Sequence, residues 1–147
     1  MGLQGEDQRL DLAGLATLTK QATGMGKTLH RVIDVVPDPL KALDQAIELG
    51  FERVLTSGAA PLAPDGLDMI AAMVRCADGR ISIMPGCGLA PENVTHVIKT
   101  AGVTEVHAAC NVPVGGDPAF SDFDPAGGRR TTSSLDVARM RSALDTL

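Results

Sequence analysis

Short apolar runs alternate with longer amphipathic stretches along the chain, from about residue 27 to the C-terminus. The short runs are rich in Val and Ile, which favour extended backbone. They predict four strands: Thr28–Asp34, Arg53–Thr56, Ile81–Met84 and Glu105–Ala108. The longer stretches place apolar residues three and four positions apart, as amphipathic helices do. They predict five helices: Asp11–Ala22, Asp38–Leu49, Gly66–Cys76, Pro91–Thr100 and Ser134–Leu147.

Residues at the ends of these stretches support the helix boundaries. Asp38 can accept hydrogen bonds from the first turn of its helix, and Pro39 is tolerated there because first-turn amides have no helical partner. Gly50 and Gly102 each follow a predicted helix, where glycine readily adopts the left-handed conformation that ends a helix. Ser134 is the predicted cap of the last helix.

The order of the elements predicts the fold class. Strands separated by helices at a spacing of ~25 residues predict a parallel sheet with right-handed crossovers. No Gly-x-Gly-x-x-Gly motif follows the first strand, which argues against a dinucleotide-binding fold. Short strands with polar residues at their carboxyl ends are typical of a (β/α)8 barrel, which takes about 250 residues and eight strands. We therefore predict an α/β fold, a partial TIM (β/α)8 barrel of about four parallel strands with flanking helices. Residues 1–147 form a single domain with an irregular loop over residues 115–133.

The composition predicts an aliphatic core, because 44% of the residues are hydrophobic and 2% are aromatic. The formal net charge of −5 argues against nucleic acid, which is bound through clustered basic residues. The only adjacent basic pair beyond the first strand is Arg129–Arg130. No apolar run approaches the ~20 residues that a membrane helix needs, and the N-terminus lacks the layout of a signal peptide. We expect a cytoplasmic protein with neither a membrane nor a nucleic-acid partner.

Four segments at strand ends carry a resemblance to a known family. The first two lie in LHRVIDVVPDPLKALDQAIELGFERVLTSG (Leu29–Gly58), the third is IMPGCGLAPEN (Ile83–Asn93), and the fourth is EVH (Glu105–His107). They resemble FHRAFD…DP…AL…LG…R(I/V)LTSG, IMPGGG…N and E(F/V)H of the CutC copper-homeostasis family. Order and spacing match from roughly Gly2 to Val114.

The resemblance implies a TIM-type barrel, of which this sequence matches the last four strands and the preceding helix, and a role in copper homeostasis. The sequence departs from the family pattern at three places. Cys87 replaces the middle glycine of Gly-Gly-Gly, and Ala108–Asn111 (AACN) stands where the family has a Ser-Ala-Arg type sequence. Residues 115–132 match the late loop of the family only loosely.

Polar residues on the first and last strands are candidates for catalysis. His30 and Asp34 lie four apart, so alternation places them on one face, while Arg31 points away. Asp34 would lie nearest the barrel mouth as a base or metal ligand. The alternative is a buried polar network in which Asp34 accepts from a backbone amide. Glu105 and His107 also share a face and suit acid/base work, the alternative being a satisfied core pair.

Four residues at strand ends are candidates for binding an anion. Ser57 and Gly58 end the second strand, and Gly86 and Gly88 belong to a turn after the third. Glycines let backbone amides approach an anion. Barrels often bind phosphate at the loops after strands seven and eight, which the resemblance matches to the third and fourth strands here. The alternatives are ordinary capping by Ser57 and a tight turn with positive φ at the glycines.

The cysteines suggest a metal site. Cys76, Cys87 and Cys110 are odd in number and lack Cys-x-x-Cys spacing, which excludes a disulfide framework. Cys87 and Cys110 follow neighbouring strands, which run ~4.8 Å apart, so their sulfur atoms could approach each other, and His107 could join them. Because Cu(I) favours thiolate and accepts imidazole, we predict that these three residues bind copper.

Two function classes follow from these observations. One is a CutC-like protein of copper homeostasis that binds Cu(I), and the other is a TIM-barrel enzyme of the lyase or isomerase type that acts on a small phosphorylated or carboxylated substrate. A truncated remnant without function is a further alternative. Four strands cut from a barrel leave open edges and an uncovered inner face. We therefore expect a homodimer or higher homo-oligomer that completes the barrel, with a separately supplied N-terminal half as the alternative.

Overall fold

The computed structural model describes residues 1–115 and 129–147. Helices and strands alternate in the predicted order as far as the third strand. The helices are α1 (Leu12–Gln21), α2 (Pro39–Glu48), α3 (Leu67–Ala77), α4 (Val94–Ala101) and α5 (Ser134–Asp145). The strands are β1 (Thr28–Leu29), β2 (Arg53–Thr56), β3 (Ser82–Pro85), β4 (Asn111–Pro113) and β5 (Arg130–Thr132).

The first three strands form one parallel sheet in the order β1-β2-β3. Leu29 pairs with Val54, and Val54 pairs with Ile83. These three side chains lie on one face of the sheet, because alternate residues of a strand point to opposite faces, and they are buried in the apolar core. The predicted α/β class with parallel strands is thereby confirmed.

The opposite face of the sheet, called the inner face below, carries Arg53 and Leu55 of β2 and Ser82 and Met84 of β3. All four residues are partly exposed, whereas the residues between them are buried. In a complete barrel this face lines the interior. The expectation that a second copy of the chain covers it stays a prediction.

The core is aliphatic, as the composition predicts. It lies between the sheet and the helices, and burial of each large apolar side chain contributes about 1.5–3 kcal/mol. The largest apolar side chains that are fully buried are Leu15, Leu29, Ile33, Leu43, Val54, Ile70, Met73, Val94 and Val97.

Two predicted helix ends are confirmed and one is shifted. Asp38 caps α2 through its carboxylate, and Gly102, with φ of 71°, ends α4. The cap of α5 is Ser133 rather than the predicted Ser134, because Ser133 Oγ accepts the amide hydrogen of Asp136 at 3.1 Å.

The first strand is shorter than predicted. β1 spans only 2 residues, and Arg31–Val35 form a 3-10 helix. His30 begins this helix, since its Nδ1 accepts the Val32 amide hydrogen at 3.1 Å. Residues three apart share a face in a 3-10 turn, so Arg31 and Asp34 meet in an ion pair at 2.9 Å. The prediction that His30 and Asp34 share a strand face, with Arg31 pointing away, is therefore wrong.

The fourth predicted strand, Glu105–Ala108, is also wrong. The chain makes a single parallel bridge here, between His107 and Gly86. It then turns at Cys110, which has a left-handed φ of 45°, and enters β4. β4 pairs antiparallel with β5 in a separate two-stranded sheet. Because the chain is redirected at this turn, it does not continue along β3.

The irregular loop predicted over residues 115–133 contains β5, so it is irregular only in part. Its residues 116–128 lie outside the described residues. Within residues 1–115 and 129–147, no helix combines the length and the apolar character needed to cross a membrane.

Candidate functional site

A cavity of about 810 Å³ opens at the carboxyl ends of β2 and β3. The 3-10 helix contributes Arg31 to its lining, and the turn after β3 contributes Cys87. His107 and Cys110 form another side, and Arg130 of β5 forms the last. We call this space the mouth cavity, because functional sites of barrel proteins lie at the carboxyl ends of the strands.

The turn Gly86–Gly88 lies close to β2 and to His107. A Cβ atom on Gly86 would come within 2.6 Å of Leu55 Cδ1 and 3.3 Å of His107 Cβ, so a larger residue there requires these side chains to shift. Gly88 has a positive φ of 76°, and its carbonyl accepts a hydrogen bond from Asn93 Nδ2 at 2.9 Å. The turn therefore lines the cavity with a backbone held in one conformation.

Asp34 is the centre of a buried hydrogen-bond network. Its side chain is 4% exposed. It accepts from Thr56 Oγ1 at 2.5 Å, from the amides of Ser57 and Ala59, and from Arg31 Nε at 2.9 Å. Burial alone would raise the pKa of Asp34, but the hydrogen bonds from Thr56, Arg31 and the two amides together lower it. Asp34 is thus a weak proton acceptor whose oxygens are occupied, as in the polar-network alternative.

The predicted anion-binding pair Ser57 and Gly58 lies in this network and is not part of the cavity lining. Ser57 is fully buried; its Oγ accepts from Arg31 Nη2 at 2.6 Å and donates to the Ala60 carbonyl at 2.5 Å. The Gly58 amide donates to Thr56 Oγ1 at 2.9 Å. These donors hold the loop after β2, as in the capping alternative for Ser57.

Arg31 joins the Asp34 network to the mouth cavity, and strand alternation failed to predict this role. Its guanidinium contacts Asp34 and Ser57 and also lines the cavity. The pKa of Arg31 is raised, chiefly by its hydrogen bond to Asp34, although burial acts in the opposite direction. Arg31 therefore keeps its positive charge at the cavity wall.

Glu105 lies at the amino ends of the strands, away from the mouth. Its carboxylate pairs with Arg53 and accepts from Ser82 Oγ at 2.9 Å, and these two residues begin β2 and β3. The hydrogen bond from Arg53 is the main cause that lowers the pKa of Glu105 to about 2. Among the predicted catalytic residues, His107 lines the mouth cavity, whereas Glu105 and the exposed His30 do not.

The three residues of the predicted copper site all line the mouth cavity. Cys87 is exposed and Cys110 is half-buried, and both have positive φ, at 79° and 45°. His107 lies on the same wall. In the described part of the chain, however, no group of three His, Cys, Asp or Glu side chains is arranged to hold a metal ion. The donors share a cavity without forming a three-ligand cluster.

Two further arginines, Arg130 and Arg139, also line the cavity. The sequence patterns did not predict either of them as a site residue. Arg130 donates from Nε to Asn111 Oδ1 at 2.7 Å and from Nη2 to the Asn111 carbonyl at 2.8 Å. Arg139 of α5 forms ion pairs with Glu92 and, at 3.3 Å, with Asp136. The adjacent pair of basic residues at 129 and 130 was the available signal, but nothing in the sequence indicates that the chain returns to the mouth there.

Comparisons with known proteins agree with the resemblance seen in the motifs. A sequence model of the CutC family matches residues 1–112. The CutC family protein of Caulobacter vibrioides is 44% identical to this chain over 151 residues. The CutC family protein of Sinorhizobium medicae is 40% identical over 149 residues, and both alignments cover 100% of this chain. The chain spans 62% and 61% of the lengths of these relatives.

A solved structure shows the same fold. The structure of CutC from Streptococcus agalactiae, for which a role in copper homeostasis is proposed, is similar with a TM-score of 0.69 and 30% identity. The similarity covers 73% of this chain and 53% of that protein. The part of the chain that this similarity covers therefore corresponds to part of a TIM-barrel-like fold, and the chain belongs to the CutC family.

Proposed function

We propose that the mouth cavity binds a small anionic molecule through a phosphate or carboxylate group. The observation that supports this proposal is that three guanidinium groups, from Arg31, Arg130 and Arg139, line one cavity beside the turn Gly86–Gly88. A guanidinium is always charged, and its paired N–H groups match two oxygen atoms of a phosphate or carboxylate. The glycines leave room for a ligand to approach the backbone.

The charge of the cavity differs from that of the chain as a whole. The chain has a formal net charge of −5, whereas the cavity lining places three arginines against the carboxylates of Glu92 and Asp136. The lining therefore has an excess of one positive charge, three minus two, which attracts ligands of the opposite sign. A concave basic site on an acidic protein favours a small anion that fits inside it over an extended polyanion.

The proposal concerns binding, and a reaction in the cavity is a separate hypothesis. His107 is the imidazole at the cavity wall, where it could contact a bound anion or transfer a proton. The carboxylates of Asp34 and Glu105 are engaged in their own ion pairs. We expect His107 to be the first residue to test for acid/base chemistry in this cavity.

A bound anion is expected to protect Cys87 and Cys110 from alkylation by iodoacetamide, an uncharged reagent. At an anion concentration of twice the dissociation constant, the rate at both thiols should fall about threefold. Cys76 lies on α3, outside the cavity lining, and serves as the internal control. Inorganic phosphate and succinate are the probes, and mass spectrometry of peptides measures each rate.

Sodium chloride at the same ionic strength separates binding from screening. Protection of Cys76 to the same extent would indicate a general salt effect. Unchanged alkylation of Cys87 in both phosphate and succinate would contradict the proposed function.

A second candidate function is the binding of Cu(I) as cargo, which is favoured by the position of Cys87 and Cys110 on one cavity. Two thiolates match the preference of Cu(I) for soft ligands, so a third protein ligand is not required. The copper-homeostasis role proposed for CutC from Streptococcus agalactiae is consistent with this candidate. The site would form when the two thiols move together around the ion.

Cu(I) titration against a chromophoric competitor tests the copper candidate. We expect one Cu(I) per chain, and we expect the double variant Cys87→Ala/Cys110→Ala to abolish binding. Cys76→Ala is the matched control and should bind as the wild type does, because Cys76 is on α3. Stoichiometric Cu(I) in the double variant would show that the two-thiol site is wrong.

We also propose that two copies associate through the inner face, in a cytoplasmic setting. Leu55 and Met84 are only partly buried there, and covering apolar surface stabilises an assembly by about 25 cal/mol per Å². Light scattering on the copper-free and copper-loaded samples measures the mass. A monomer in both samples would contradict this association.

A further inference from the structure

The three arginines of the mouth cavity differ in what neutralises their charge. Arg31 pairs with Asp34, and Arg139 pairs with Glu92 and Asp136. A guanidinium that is already paired with a carboxylate offers a ligand less net attraction than one whose charge is not compensated. The arginine that binds an anion is therefore to be sought among those without a carboxylate partner.

Arg130 has no carboxylate partner among the residues that the structure describes. Its hydrogen bonds go to Asn111, at the side-chain oxygen and at the carbonyl, and both acceptors are neutral. Within residues 1–115 and 129–147, no carboxylate lies within ion-pair distance of Arg130. Its positive charge is left to the cavity that it lines.

Asn111 also holds the guanidinium in position. Nε and Nη2 donate to Asn111 across the β4–β5 ladder. Within residues 1–115 and 129–147, no acceptor engages Nη1, so this side of the fork can donate to a ligand. A side chain held at one edge loses less rotamer entropy when a ligand binds at the other. The neighbouring segment Ala108–Asn111 also lines the cavity and contains no basic residue, whereas Arg130 brings a positive charge next to it.

We infer that Arg130 is the residue that binds the anionic group of the ligand, with Asn111 as its positioning residue, while Arg31 and Arg139 chiefly hold the cavity walls. This inference rests on the proposed anion-binding function and assigns its recognition to one side chain. The ligand class is a small molecule with an accessible phosphate monoester or carboxylate, whose two oxygens face the Nη1 side of Arg130.

The experiment compares Arg130→Gln with the wild type in the alkylation assay. Inorganic phosphate is the probe, and the readout is the phosphate concentration that halves the alkylation rate of Cys87. Loss of a hydrogen bond to a charged group should raise that concentration about tenfold to a hundredfold. Arg130→Lys keeps the positive charge but loses the paired N–H groups of the guanidinium. Its half-protecting phosphate concentration should lie between those of the wild type and Arg130→Gln.

Arg141→Gln controls for the change in net charge. Arg141 is an exposed residue of α5 that pairs with Asp145 and is not part of the cavity lining, so its loss should change the phosphate concentration less than about twofold. Urea unfolding of each variant checks that the fold is retained. Asn111→Ala should weaken protection in the same direction as Arg130→Gln, because the guanidinium is then no longer held.

The two ideas fail in different ways. Protection of Cys87 that is equal in wild type and Arg130→Gln would overturn the assignment of Arg130 and leave the anion site in place. Absence of protection in the wild type would overturn the proposed function and this assignment with it. A loss of protection in Arg141→Gln as large as in Arg130→Gln would show that net charge, and not Arg130, governs binding.

Discussion

Replacing Asp34 with alanine is expected to lower the free energy of unfolding by about 3 kcal/mol. The substitution removes a buried carboxylate that accepts hydrogen bonds from Thr56, Ser57, Ala59 and Arg31. Buried donors that lose their acceptor cost more than the net value of the bonds themselves, because they are not returned to water. Urea unfolding at pH 7 with a common m-value measures the change.

The effect of Asp34→Ala should also depend on pH. The pKa of Asp34 is lowered in the folded state, where its hydrogen bonds outweigh the opposing effect of burial. Its contribution is therefore complete above ~3.9, the pKa of an unfolded aspartate, and is lost as the pH falls through the lower folded pKa. The difference between wild type and variant should stay constant from pH 7 to about 5 and shrink below about 4.

Asp44→Ala is the matched control, because it removes an exposed aspartate that lies 3.6 Å from Arg80. An exposed pair of this kind contributes less than about 1 kcal/mol. If Asp34→Ala were no more destabilising than Asp44→Ala, the network would not be what holds the loop after β2.

Gly58→Ala is also expected to lower the free energy of unfolding by about 3 kcal/mol, because the added methyl group clashes with the backbone. A Cβ atom at Gly58 would lie 2.2 Å from the carbonyl oxygen of Gly66 and 2.9 Å from Ile70 Cγ1, in a backbone with φ of 73°. The carbonyl oxygen belongs to the backbone, so relief requires that the loop and the start of α3 move apart. Thermal and urea unfolding measure the loss.

Gly79→Ala separates the clash from the backbone strain. Gly79 has a φ of 72° but no atom within 4 Å of an added Cβ, so alanine there meets only the cost of the left-handed conformation, about 1 kcal/mol. The loss of unfolding free energy in Gly58→Ala should therefore exceed the loss in Gly79→Ala by about 2 kcal/mol. Equal losses would mean that the approach of the two loops is not tight.

Elements that depend on interactions within a few residues of the sequence were predicted correctly. β2 was predicted with its observed limits, and α2 with its Asp38 cap, because side-chain alternation and capping are local effects. The segment Arg31–Val35 is rich in β-branched Val and Ile, which favour a strand. Its 3-10 conformation depends on hydrogen-bond donors from a distant segment, since the Ser57 amide in the loop after β2 donates to Asp34. Periodicity does not reveal such a contact.

The candidate site was predictable to the extent that it follows the parallel strands. Gly86 and Cys87 follow β3, and a single parallel bridge joins His107 to Gly86 at the carboxyl end of that strand, so all three line the cavity. Arg130 and Arg139 reach the same cavity from a part of the chain beyond the parallel sheet. Their arrival depends on the turn at Cys110 and the β4–β5 pairing, which have no strong sequence signature.

The separate pairing of β4 and β5 has a consequence for how the mouth can change over evolution. The two strands form their own ladder, outside the parallel sheet that carries the core. We therefore expect a substitution at residue 130 to change the proposed anion binding and to leave the register of β1, β2 and β3 undisturbed. Arg31, by contrast, belongs both to the cavity lining and to the Asp34 network. We therefore expect relatives to vary more freely at residue 130 than at residue 31 while their parallel sheets remain superimposable.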